Sequence, residues 1–416
     1  MGRTVCIVSP GNLASNPRLL KEADALHGAG YEVTAIVCNY NEALREADDE
    51  IEATAPWKVI RVARARDEGI VARAAAALAR LLLSLGLAVP VGVAARSARA
   101  PVAALMRRTA EVPADLYIAH YVAALPAVAA AARRHRALLG FDAEDFHSGE
   151  GTATPGDAFR MKMIGVVEQA VLPSCSHMTA AAPLIGKAYA ARYGLAEPVT
   201  VLNVFPLSMA PLQPRSVRSE KGTPTLRAYW FSQTIGLDRG LQAFIQTMAR
   251  ARTRVTLDIR GSNRWGHGDS LLALAASLGL ADRVRLLPMA PPGEMVRLAA
   301  DYDIGLSLET EVSENRRICL TNKIFTYLLA GVPVIMSDTP GQKLLATDLG
   351  QAARLCALAD PAGLAATLDA LASPPVLAEA SAAAWRLGRE RYNWEREQDV
   401  LLQSVAAAFA RRETLR

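Results

Sequence analysis

The sequence predicts an α/β protein made of two doubly wound parallel-sheet domains, and three observations predict it. Residues 4–37 alternate apolar strand, polar loop, amphipathic helix and apolar strand, the signature of a βαβ unit. The stretch PLSMAPLQPRSVRSEKGTPT then interrupts the chain with four prolines and few apolar residues, and the strand-helix alternation restarts at Leu226. Residues 303–342 finally repeat strand, loop, helix and strand, another unit of a parallel sheet.

The elements follow in order. Residues 4–9 read as a buried strand. Asn16 is a natural N-cap, Pro17 a natural first helical residue, and Leu19, Leu20, Ala23 and Leu26 form the apolar stripe of a helix closed by Gly28 and Gly30. Residues 33–37 form the second strand. The loop between carries no GxGxxG, which removes the dinucleotide fingerprint and with it the best support for an oxidoreductase. Residues 42–52 are acidic and read as exposed, and residues 57–62 as a strand. Residues 114–119 form a strand ending at His120, followed by a helix with Pro126 in its first turns. Residues 138–141 form a strand followed by DAEDFHSGE, which holds Asp142, Glu144, Asp145, His147 and Glu150. A helix at 168–176, a strand at 177–180, a helix at 184–193 and a strand at 199–204 close the first domain.

In the second half, strands are expected at 226–232, 255–260, 284–287 and 353–356, and helices at 240–251, 294–301 and 361–372. Residues 304–308 form a strand, 309–321 a polar loop, and a helix then carries Lys323 near its start until Gly331 ends it in a left-handed cap. Residues 334–336 are the next strand. A last helix runs over 394–411 with Asn393 as its N-cap. The domains expected are 1–206, a linker at 207–224, 225–390, and a C-terminal helix at 391–416 that returns to the first domain. The cleft between the domains is the expected site.

At 416 residues, 51% of them apolar, the chain is long enough for two cores. The net charge of +5 is mild, and no basic run is interleaved with aromatics, so nucleic acid is not an expected partner. Five dispersed cysteines without a CxxC indicate neither a disulfide framework nor a zinc site, and fit a reducing cytoplasm. The N-terminus reads as lacking a signal peptide, and the apolar stretch 81–95 is too short to span a bilayer. Residues 57–108 hold ten Lys or Arg against Asp67 and Glu68, between long Ala, Leu and Val runs. Two readings fit: a peripheral docking face for an anionic membrane surface, or a helical pair packed on the sheet with a basic outer face.

The stretch NKIFTYLLAGVPVI resembles the donor-sugar helix of family 4 glycosyltransferases of the GT-B fold (GT4), whose pattern reads like NKLFEYMAAGKPVV. Asn322, Lys323, Phe325, Tyr327, Ala330, Gly331, Pro333 and Val334 match. SNPRLLKEADALHGAGYEVTAI resembles the first unit of these enzymes, and VTVLNVFPL their hinge. Two departures stand out. The paired glutamates of the family fall on Ile318 and Thr326, and the histidine of its DAHE motif falls on Glu144.

The resemblance implies two Rossmann-like domains facing a cleft, the second holding a nucleotide-sugar donor, with UDP- or GDP-sugar as co-substrate, no other cofactor and no metal. It implies transfer of a hexose or related sugar, with retention, to a glycan or lipid-linked hydroxyl. Arg239, Gly261, Asn322, Lys323 and Thr326 are the candidate donor residues, with Arg239 and Lys323 on the diphosphate. Glu144, Asp145 and His120 are the candidate catalytic residues, and Gly11, Asn16 and Arg18 the candidate acceptor or cleft residues. Each has a plainer reading: Asn16 as a cap, Arg18, Arg239 and Lys323 as solvated cations, His147 as a loop histidine. D-A-E-D matches a DxD metal motif only loosely. A nucleotide-sugar epimerase using Glu144 and His147, and a non-catalytic nucleotide-sugar-binding scaffold, are the alternative functions.

Overall fold

A computed structural model describes residues 2–63, 68–97, 102–152, 154–214 and 225–414. Most of the proline-rich linker, and Arg64, Arg66, Asp67 and Arg99 of the basic stretch, lie outside the described residues. The chain divides into two units. The first comprises Met1–Val201, Ser313–Asn315 and Gln398–Arg416, and the second Leu202–Val312 and Arg316–Glu397.

The first unit is built on a seven-stranded sheet. Its strands are β1 (Thr4–Val8), β2 (Glu32–Cys38), β3 (Lys58–Val62), β4 (Leu116–His120), β5 (Leu138–Ala143), β6 (His177–Ala180) and β7 (Val199–Thr200). Their order is β3-β2-β1-β4-β5-β6-β7, and every described pairing is parallel. β4 and β5 are buried along their whole length, which suits central strands covered on both faces. The order reverses between β1 and β4, so their carboxyl ends open a crevice.

The second unit repeats the plan. Its strands are β8 (Thr225–Thr234), β9 (Arg254–Ser262), β10 (Val284–Leu287), β11 (Ile304–Ser307), β12 (Val334–Ser337) and β13 (Ala353–Cys356). They are ordered β10-β9-β8-β11-β12-β13, all parallel, with the reversal between β8 and β11. The core packs Trp230, Phe244, Ile259, Leu306, Ile335 and Leu368, all fully buried, between sheet and helices.

Local chemistry places the ends of the elements. Asn16 caps the Pro17–Gly28 helix by accepting from the Leu19 amide at 3.0 Å. Gly331, at φ +73°, ends the Asn322–Leu329 helix in the left-handed conformation. Asn393 accepts from the Arg396 amide at 3.1 Å and opens the Trp394–Thr414 helix. From Gln398 onward this helix belongs to the first unit, where Ser404 meets His177 at 3.1 Å and Phe409 stacks on Tyr31 at 5.9 Å between ring centres.

Several expectations are corrected. The acidic stretch at 42–52 is not uniformly exposed: it overlaps the Arg45–Thr54 helix, and Asp48 is fully buried. There Asp48 accepts from Asn12 Nδ2 at 2.7 Å and from the Ala14 amide at 2.8 Å, pinning the loop after β1. The helix expected at 168–176 is the C-terminal end of Pro155–Val171, which Thr154 caps. The strand expected at 199–204 spans only Val199–Thr200. Helices His267–Ser277, Glu314–Ile318, Pro340–Leu349 and Pro374–Glu390 stand where no helix was expected.

The basic stretch is helical over Glu68–Ser84, Val91–Ser97 and Val102–Ala110. The first of these helices leaves Ile70 (63%), Leu78 (44%) and Leu81 (55%) exposed, and Leu85 (63%) continues the stripe just beyond its end. No described helix is long and apolar enough to cross a membrane.

Candidate functional site

The candidate residues fall into two groups, one in each unit, and each group sits beyond the carboxyl ends of the strands where the sheet order reverses.

In the second unit the centre is Glu309, two residues past β11 and 2% exposed. Lys323, itself buried, donates Nζ to Glu309 Oε1 at 2.9 Å. Arg316 pairs with the other carboxylate oxygen, and Arg239 Nη1 approaches the same oxygen at 3.5 Å. Burial by itself raises a carboxyl pKa, but the three cations outweigh it and hold Glu309 down at about 2. Three positive groups therefore share one negative charge in a desolvated site. The loop is fixed from behind: Ser337 Oγ donates to the Glu309 carbonyl at 2.6 Å, and Gln342 donates to Ser337 Oγ at 2.8 Å. Arg239 Nε pairs with Asp238 at 3.5 Å, yet it is buried without a hydrogen-bond partner, an orphan donor beside the cluster.

The other donor candidates are placed as follows. Asn322 is exposed as the first residue of its helix. Thr326 is fully buried, and its hydroxyl donates back to the Asn322 carbonyl at 3.0 Å. Gly261 has an intramolecular reason for being glycine: a Cβ there would lie 2.7 Å from the Ser232 carbonyl oxygen, so the close backbone approach expected at this position is to β8. Lys323 and Arg239 are not solvated cations. Glu309 and Arg316 were not singled out from the sequence. The signal available was the first of three glutamates after an apolar strand, ahead of an Arg pair and Lys323.

In the first unit, Arg18 is an interior group. At 2% exposure it holds both oxygens of Asp142 through Nε, at 2.9 and 2.8 Å, and donates Nη1 to the Val201 carbonyl at 2.6 Å. His120, equally buried, pairs through Nε2 with Glu22, and Asn16 Nδ2 lies 3.5 Å from its Nδ1. Burial opposes charge on both His120 and Asp142. Glu22 nevertheless raises the imidazole above its ordinary range, and Arg18 holds the Asp142 carboxyl below its own. One ligand atom from each of Glu22, His120 and Asp142 lies within 4.8 Å of the others. The Arg18 guanidinium already occupies Asp142 and would face any added cation, so the donor set suits a charge-balanced network better than a metal.

A cavity of about 420 Å³ lies beside this network. Gly11, Asn16, Glu144 and Tyr121 line it, and Arg18, His120 and Asp145 do not. Burial and the neighbouring Asp145 raise the Glu144 pKa above the ordinary carboxylate range. Asp145 accepts from Asn315 Nδ2 at 2.7 Å, and Asn315 Oδ1 accepts from the Phe146 amide at 2.8 Å. His147 is not an ordinary loop histidine. It is 1% exposed, its Nδ1 lies 2.6 Å from Glu150, and its Nε2 is buried without a partner.

Residues 238–403 match a family model described as glycosyl transferase-like. No curated protein matches the chain. Among solved structures, HepE of Anabaena in complex with UDP and glucose superposes with a TM-score of 0.69 at 16% identity, over 97% of this chain and 100% of the other. Sucrose-phosphate synthase of Thermosynechococcus elongatus gives 0.71 at 14% identity, over 98% and 99%. TarM gives 0.69 at 10% identity, again over 98% and 99%. The fold is therefore GT-B, and residues 238–403 are similar to a glycosyl transferase-like family.

Proposed function

We propose that this enzyme transfers a sugar from a nucleotide-sugar donor to a hydroxyl of an acceptor. The observation that carries the reading is the cluster of Lys323, Arg316 and Arg239 around the buried Glu309. Its three cations against Glu309 and Asp238 leave a formal +1, a preorganised counter-charge for a departing nucleoside diphosphate, the largest charge that develops in such a reaction. The start of the Asn322–Leu329 helix adds free amides and the positive end of its dipole. In this reading Arg239 and Lys323 bind the diphosphate, and Asn322 contacts the donor from the helix start. Thr326 and Gly261 shape the wall by packing. A uridine donor is the first to test, because HepE binds UDP and UDP-glucose on this fold.

Glu144 is assigned to proton transfer at the acceptor hydroxyl, with Asp145 and the His120 network as its electrostatic setting and Gly11 and Asn16 on the acceptor side. Transfer with retention, as GT4 resemblance implies, completes the reading. The exposed Ile70, Leu78, Leu81 and Leu85 stripe, with exposed Arg73 and Arg80 on the same helix, supports docking on an anionic membrane at its cytoplasmic face, where a lipid-linked or glycan acceptor is met.

The test is a thermal-shift panel of UDP-, GDP-, ADP- and CDP-sugars on wild type and Lys323→Ala, followed by assay of released nucleoside diphosphate. A selective rise in midpoint that the variant loses, with turnover of that donor, is the expected result. Absence of any shift at millimolar nucleotide would remove the donor site. A shift without turnover would favour the scaffold reading.

A further inference from the structure

We propose that the first unit's cavity selects an acceptor whose hydroxyl is carried on an apolar body, an amphiphile rather than a bare glycan, and that Tyr121 positions that hydroxyl. The inference rests on the glycosyltransferase reading above and adds the class of acceptor.

The wall of the cavity is divided. Ser9, Ser15, Asn16, Tyr40, Glu144 and Arg160 form its polar part, while Ala94, Ala95, Met163, Ile164 and Val167 form a continuous apolar side. At about 420 Å³ the cavity is of small-molecule size. A glycan filling it would leave the hydroxyls on the apolar side desolvated against these five side chains, without a hydrogen bond in return. An aliphatic or aromatic body incurs no such loss, and each buried methylene strengthens binding roughly four-fold.

Tyr121 is the second observation. It sits at φ +73° and ψ 144°, a conformation that side chains with a Cβ rarely adopt. Such strain persists only where the surrounding structure holds it. Here the ring packs edge-on against His147 at 4.6 Å between centres, and His147 is itself clamped by Glu150. Among the described residues the Tyr121 hydroxyl has no hydrogen-bond partner, although the residue lines the cavity. The backbone thus holds a tyrosine where glycine would be relaxed, and the result is a fixed phenol at the cavity wall. That is the geometry of a preorganised donor for an incoming hydroxyl.

The probes are octyl β-D-glucoside, below its micelle concentration, and methyl β-D-glucoside, titrated calorimetrically into the full chain. Three methylenes in the cavity would give wild type a preference of about 60-fold for the octyl compound. Ala95→Phe, or the milder Ala94→Leu should the first not fold, fills the apolar side and collapses that preference. Tyr121→Phe weakens both probes by a similar factor and leaves their ratio intact. Equal affinity of the two glucosides for wild type overturns the acceptor class. So does a preference that survives filling of the cavity, since the chain would then sit elsewhere, for example on the exposed stripe of the Glu68–Ser84 helix. An unchanged response of both probes to Tyr121→Phe overturns the role of Tyr121. The UDP thermal shift is measured on the same samples. If it is absent while the octyl preference holds, the donor reading fails and the amphiphile site stands. If it is present without the preference, this inference alone fails.

Discussion

Replacing Glu309 by glutamine tests whether the cation cluster is a built electrostatic device. The substitution keeps the shape and removes the charge that Lys323, Arg316 and Arg239 share. Lys323 is 5% exposed and would be left in a dry site facing a neutral amide and two other cations. Glu309 is held at about 2 against an ordinary value of 4.5. That depression is worth ~3 kcal/mol of folding free energy at neutral pH, the lower end of what breaking a buried pair costs.

The sign follows from linkage. A depressed carboxyl stabilises the fold above pH 4.5, and the contribution is lost as pH falls through about 2. The gap between wild type and Glu309→Gln should therefore be ~3 kcal/mol at pH 7 and less than about half of that by pH 3. Urea unfolding followed by tryptophan emission reads this out, because Trp230, Trp265, Trp385 and Trp394 all lie in the second unit. A variant as stable as wild type at pH 7, or a gap that stays flat between pH 7 and pH 3, would refute the account. The first outcome would mean the cations relax into water, the second that the loss is one of packing.

Two further perturbations follow. Burial opposes a proton on His147, but its bond to Glu150 and the nearby acidic groups prevail and raise it to about 9. Its contribution, ~3 kcal/mol, is then complete below pH 6.5 and lost as pH rises through 9. Imidazole NMR should find it titrating near 9 in wild type and well below that in Glu150→Gln; a value near 6.5 in wild type would remove the argument. Gly240 sits at φ +68°, and a Cβ there would lie 2.7 Å from the Leu308 carbonyl oxygen, immediately before Glu309. Gly240→Ala should cost more than ~2 kcal/mol and weaken any donor-induced thermal shift; a neutral result in denaturation would refute the strain.

The sequence by itself determined what depends on neighbours along the chain. Asn16 before Pro17, Asn393 before Trp394 and Gly331 after an apolar helix are local signals, because a cap needs only a side chain and the next turn. Runs of apolar residues between polar loops were enough to announce parallel strands, and β10 and β13 begin and end where the pattern placed them. The helices Pro340–Leu349 and Pro374–Glu390 carry the same local signal, Thr339 and Ser373 before a proline, although neither side chain makes the capping hydrogen bond.

The chemistry of the sites was decided by tertiary structure. Arg18 and Asp142 are 124 residues apart and become one buried pair only when β1 and β5 flank β4. Asp48 looks like any surface carboxylate in an acidic stretch until the folded loop brings Asn12 to it. Glu309 gains its meaning from Arg239, 70 residues earlier, and from Lys323, 14 residues later. The physical reason is common to all three. Charge and desolvation act through space over a few ångströms, and the order of residues along the chain does not record which ones the sheet will bring that close.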